Sequence, residues 1–164
     1  MVLYRRNRVA GASYFFTVTL RDRHSDLLVR RVDDLRRAFR SARSERPFSL
    51  DAIVVLPEHL HTIWTLPDSD YPTRWYAIKS RFTQAVREAG EPARRSAKGE
   101  FDLWQRRYWE HTLRDDDDVA RHMDYIHFNP VKHGAGRACD GLAALVVSSV
   151  CRARHLPADL GIGV

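Results

Sequence analysis

Two histidines separated by a single residue stand in Leu56-Pro57-Glu58-His59-Leu60-His61, between two apolar runs, Ile53–Leu56 and Ile63–Leu66. On an extended chain, side chains alternate faces with period two, so His59, His61 and Ile63 share one side. Two imidazoles one pleat repeat apart can share a divalent cation, and a strand holds them more rigidly than a loop would. The same pattern also fits two ordinary strand histidines. A metal site would need a third or fourth ligand from elsewhere in the chain.

A second set of polar residues lies further on. At about 100° per residue, Val119, Met123 and Ile126 form the apolar stripe of a helix. Asp118, His122, Tyr125 and Asn129 fall on one flank of that stripe, spaced i, i+4, i+7 and i+11. Tyr125 and Asn129 are one turn apart, so a hydroxyl and an amide can reach one site together; His127 points to another side. Residues alone leave two readings of Tyr125 open: a packing residue with a satisfied hydroxyl, or a reactive group lining a cleft.

The elements that must position these groups follow from periodicity. Residues 14–20 are aromatic and β-branched and predict a strand. Val32, Leu35, Phe39 and Ala42 recur at helical spacing with acids early and arginines late, predicting a helix over about 32–45 that Pro47 ends. A strand over 48–56, the tight connection Pro57-Glu58 and a strand over 59–66 form a hairpin. A helix over about 71–89 stops at Gly90, and 91–100 reads as a loop. An extended segment is expected within 103–113. The four consecutive acids Asp115–Asp118 suit the start of a helix over about 116–129, closed by Pro130. The apolar run 142–150 fits a strand or a short helix. This order predicts an α+β fold, an antiparallel sheet with flanking helices, and no internal repeat is evident.

Length and composition set the frame. The 164 residues are expected to form one domain over 1–164, with a basic N-terminal arm at 1–13 and a C-terminal extension at 135–164. The 44% hydrophobic and 29% charged content is that of a globular protein. No run approaches the roughly 18 apolar residues of a membrane span, and the N-terminus lacks a secretory pattern, so a cytoplasmic protein is expected. Cys139 and Cys151 show no metal-type spacing. The net charge of +6 is mostly arginine and favours a polyanionic partner, since arginine matches phosphate oxygens bidentately. Arg5, Arg6 and Arg8 open the chain, and Arg94, Arg95 and Lys98 fill the expected loop. Arg106 and Arg107 flank aromatics, an interleaving that suits stacked bases and paired phosphates.

Three segments carry a family resemblance: Leu-Pro-Glu-His-Leu-His at 56–61, Arg-Tyr-Trp-Glu-His-Thr-Leu-Arg-Asp at 107–115, and Tyr-Ile-His-Phe-Asn-Pro-Val-Lys-His-Gly at 125–134. In order and spacing they resemble the HUH-type single-tyrosine transposases and, within these, the REP-associated tyrosine transposases, small bacterial proteins linked to repetitive palindromic DNA. The likeness runs from Phe15 to Gly134. It implies a ferredoxin-like or RRM-like sheet with the histidine pair on a central strand and the tyrosine on a C-terminal helix. It implies His59, His61 and Asn129 as ligands of Mg²⁺ or Mn²⁺ and Tyr125 as the nucleophile. The expected activity is cleavage and rejoining of single-stranded DNA beside hairpin repeats through a 5′-phosphotyrosine link, by a monomer or homodimer. Arg5, Arg6, Arg8 and the 91–100 loop would then grip a DNA hairpin. Two alternatives remain at this stage. One is a domesticated hairpin DNA- or RNA-binding protein with little cleavage activity, which would not need the four site residues. The other is a zinc hydrolase in which Tyr125 is structural, which would leave the basic surface idle.

Overall fold

The computed structural model describes residues 7–92, 94–99 and 101–132 and a further strand at 145–148. The elements are β1 (Ser13–Thr19), α1 (Leu27–Arg30), α2 (Val32–Glu45), β2 (Ser49–Val55), β3 (His59–Thr65), α3 (Tyr71–Glu88), β4 (Trp109–Thr112), α4 (Asp116–Lys132) and β5 (Leu145–Ser148). They form one sheet in the order β4-β1-β3-β2-β5, antiparallel at every pairing. The fold is therefore α+β with flanking helices, and the strand carrying His59 and His61 is the central one.

Strand parity splits the molecule into two layers. Even-numbered β1 residues Tyr14, Phe16 and Val18, with Leu60 and Trp64 of β3, face α2 and α3 in the larger core. There the indoles of Trp64 and Trp75 stack at 4.3 Å, a contact of large area and defined geometry. Phe15, Ala52, Val54 and Ile63 point the other way and pack with Ile126 of α4, flanked by Val119 and Met123. Among the described residues, α4 thus covers the histidine face, while α2 and α3, joined by Leu27 and Leu28 of α1, cover its back.

Local chemistry sets the boundaries. The Asp70 carboxylate accepts from the Thr73 backbone N–H at 3.3 Å, and Pro72 occupies the first turn of α3, where a missing N–H costs nothing. The β2–β3 turn is closed by Leu56 N–H donating to the His59 carbonyl at 2.9 Å. It is then clamped from outside: Leu20 N–H donates to Glu58 O at 2.7 Å and Leu28 N–H to Pro57 O at 3.1 Å. The start of β3 is thereby tied to the end of β1 and to α1, a four-residue helix that periodicity is too short to reveal.

Other differences from the sequence reading are instructive. Only Trp109–Thr112 of the expected 103–113 segment is strand, because its residues before 109 turn away to pack against α3. α4 continues through Pro130 to Lys132 instead of closing before it; a proline so near a helix end forfeits a single backbone bond. The run 142–150 contains a strand that adds to β2. Arg5, Arg6, Cys139 and Cys151 lie outside the described residues. Among the described residues, no helix is long and apolar enough to cross a membrane.

Candidate active site

The register places Thr19 opposite His59, Thr17 opposite His61 and Phe15 opposite Ile63. Both histidines are buried, at 7% and 4% of full exposure, with ring centroids 4.9 Å apart and planes at 81°. Their neighbours bear on which nitrogen holds the proton. A carboxylate only accepts, so His59 Nδ1–H donates to Glu58 Oε1 at 3.0 Å and the lone pair stands on Nε2. His61 Nδ1 lies 2.8 Å from Thr17 Oγ1. With Nδ1–H as the donor there, the second imidazole likewise carries its lone pair on Nε2.

α4 brings the tyrosine over this pair. The Tyr125 ring sits 5.1 Å from that of His61, edge-on at 74°, and it remains 41% exposed. Phe15 is the floor beneath both. Its ring lies 5.5 Å from His61, 6.0 Å from Tyr125, 4.7 Å from His122 and 5.7 Å from Trp109. A phenol in reach of solvent thus borders a buried imidazole, which in turn lies against the second.

The helix is fastened at its first turn. His111 Nε2 of β4 lies 2.8 Å from Asp118 Oδ2, which also accepts the Arg114 backbone N–H at 3.1 Å. His122 Nδ1–H donates to the Asp118 carbonyl at 2.8 Å, and Asp118 N–H donates to Asp115 Oδ1 at 2.8 Å. The bond from His111 holds the Asp118 carboxyl below its ordinary range, helped by the Arg114 N–H and against the effect of burial. One donor atom from each of His111, Asp118 and His122 lies within 4.8 Å of the others, a group with metal-ligand chemistry in its own right. Here those atoms are engaged with one another and with backbone, so the group works as a clasp between β4 and α4. The sequence ridge already carried Asp118 and His122 beside Tyr125. What it lacked was His111, which comes from another element.

Asn129 follows Tyr125 by one turn and is 1% exposed. Among the described residues, neither its Oδ1 nor its Nδ2 has a hydrogen-bond partner, which costs on the order of 1–3 kcal/mol unless a ligand supplies one. Imidazole nitrogens and an amide oxygen are both donor types that divalent cations accept.

Of the cations expected to meet DNA, the described ones are exposed and lie outside this site. Arg8 is exposed ahead of β1, Arg94, Arg95 and Lys98 are exposed between α3 and β4, and Arg106 and Arg107 are exposed just before β4.

Sheet, helix and side chains define a class: an α+β protein with a paired-histidine site on the central strand, faced by a tyrosine on a covering helix. No family model matches the chain. It is 46% identical over 133 residues to a REP-associated tyrosine transposase of Escherichia coli K12, covering 80% of this chain and 73% of that protein. It is 42% identical over 135 residues to a candidate REP-associated tyrosine transposase of Haemophilus influenzae Rd, covering 80% of this chain and 77% of that one. A solved structure of a REP-associated tyrosine transposase bound to a REP hairpin superposes with a TM-score of 0.70 at 45% identity, covering 82% of this chain and 75% of that one. The chain belongs to the REP-associated tyrosine transposases.

Proposed function

We propose that the protein cleaves and rejoins single-stranded DNA beside hairpin repeats, with Tyr125 as nucleophile and His59, His61 and Asn129 holding a divalent cation, Mg²⁺ or Mn²⁺. The observation that carries this reading is the juxtaposition of an exposed tyrosine ring with a buried histidine, 5.1 Å apart. The hairpin bound by the similar transposase of known structure supports the substrate class.

The chemistry is an in-line displacement. Tyr125 Oη attacks the phosphorus, the bond to the 3′ oxygen breaks, and the phenolic proton is in net transferred to that oxygen. The products are a 5′-phosphotyrosine link and a free 3′-OH, and attack by a 3′-OH on the link reverses the step. A cation bound by the three residues would neutralise charge on the phosphate oxygens. Glu58 and Thr17 orient the two imidazoles, Phe15 fixes their distance from the phenol, and the clasp at Asp118 sets the height of α4 above the sheet. Positioning of this kind supplies much of the acceleration in phosphoryl transfer. A duplex would hide the scissile bond, which is why an unpaired strand is the expected substrate.

The test is to incubate the protein with labelled hairpin oligonucleotides bearing single-stranded flanks, with Mg²⁺ or Mn²⁺, and to look for a denaturation-resistant protein–DNA adduct. An adduct lost in Tyr125→Phe is expected. An adduct that survives that change refutes the nucleophile, and no adduct on any hairpin favours a binding protein.

A further inference from the structure

On the back of the sheet, against α3, a groove of about 1290 Å³ runs between the helix and the segment leading into β4. Trp75, Trp104 and Tyr108 line it, and Lys79, Arg87, Arg95 and Arg106 bring four cations to its walls. A single carboxylate, Glu88, accompanies them among the described residues. The ring of Phe101 is bracketed by the guanidinium groups of Arg87 and Arg95, at 4.7 Å and 4.6 Å from its centroid. Guanidinium groups held on an aromatic face keep N–H edges for other acceptors. Tyr76, also in the lining, leaves 75% of its surface in solvent, so packing does not account for its size.

The groove is joined to the candidate active site through β4. Arg106 and Tyr108 of its lining immediately precede β4 in the chain, and β4 is an edge strand of the sheet. Alternation then sends successive rings to opposite faces. Tyr108 lies 5.9 Å from Trp75 on the groove side, while Trp109 lies 5.7 Å from Phe15 on the Tyr125 side and is 50% exposed. A chain passing round this one strand would meet an aromatic ring on each side of it.

We propose that this groove binds a segment of single-stranded DNA continuous with the strand offered to Tyr125. Cations spaced along a concave surface match phosphates, and the exposed Tyr76 ring, above the buried Trp75 and Trp104, offers a base a stacking face without regard to sequence. The continuity rests on the function proposed above; the binding itself does not.

The experiment separates the two. Full-length Tyr125→Phe protein, with chelator and no divalent cation, is titrated by fluorescence anisotropy against one hairpin carrying a long or a short single-stranded flank. The long flank is expected to bind about tenfold tighter. Tyr76→Ala should remove most of that gain and leave short-flank affinity unchanged. Arg106→Ala should do the same and reduce the salt slope for the long flank by about 0.7. Both side chains are exposed, so loss of fold does not confound the result. A flank gain that survives both substitutions overturns the proposal, as does an equal gain from a fully duplexed flank. Failure to form an adduct in the cleavage assay, with the flank gain intact, would refute the nucleophile and leave the groove standing.

Discussion

Replacing Asp118 by asparagine tests how the site is held. The carboxylate is 6% exposed, and its Oδ2 takes both the His111 Nε2 bond at 2.8 Å and the Arg114 backbone N–H at 3.1 Å. Asparagine keeps one acceptor and can retain the backbone bond, but it loses the charge that strengthens the contact with His111. Hydrogen bonds to a charged group contribute about 1.5–3 kcal/mol, so Asp118→Asn should cost about 2 kcal/mol at neutral pH. For a domain of this size that lowers Tm by roughly 4–8 °C. The pH dependence has a definite sign. The His111 contact holds the folded-state pKa of Asp118 below the ordinary carboxylate value, so its contribution is present above that ordinary value and is lost as pH falls through the folded-state pKa. The Tm gap between wild type and variant should therefore be full at neutral pH and close progressively as pH falls below the ordinary carboxylate range. Thermal denaturation followed by circular dichroism at several pH values measures it. Equal Tm values at neutral pH, or a gap that persists into acid, would refute the assignment of the clasp.

Further outcomes follow from the same geometry. Tyr125→Phe keeps the ring against His61 and Phe15 and should change stability by less than about 0.5 kcal/mol while abolishing the covalent adduct; calorimetry beside the cleavage assay separates the two effects. Glu58→Gln can no longer dictate the His59 tautomer, so Mn²⁺ affinity by isothermal titration should fall roughly 10- to 100-fold with little effect on metal-free hairpin binding. Ile126→Ala empties a fully buried position beneath α4 and should destabilise by about 2–5 kcal/mol, read as a lower urea midpoint. Gly99 has φ of +76° in a turn closed by its N–H to the Ser96 carbonyl, with open space where a Cβ would stand. Gly99→Ala should thus cost only the conformational strain of about 1 kcal/mol, and a larger loss would mean that the turn is packed more tightly than the structure indicates.

Local pattern by itself settled a good deal. Alternation along His59, Leu60 and His61 put both imidazoles on one side of a strand, and apolar spacing put Tyr125 and Asn129 on one flank of a helix. These periodicities are properties of the backbone, so they survive without knowledge of neighbours. Motif order supplied the family. What remained out of reach was every relation between distant segments. Whether Tyr125 lies over His61 or faces solvent depends on which side of the sheet α4 covers, and that is decided by the contact of Ile126 with Phe15, Val54 and Ile63. His111 joins Asp118 and His122 only because β4 pairs with β1 beside the helix start. Arg95 and Arg106 were legible as cations, whereas the groove they share with α3 exists only when the 95–108 segment folds back on that helix. Periodicity reports how a residue is oriented within its own element. Burial and the meeting of charges depend on which elements pack together, and only the tertiary structure determines that.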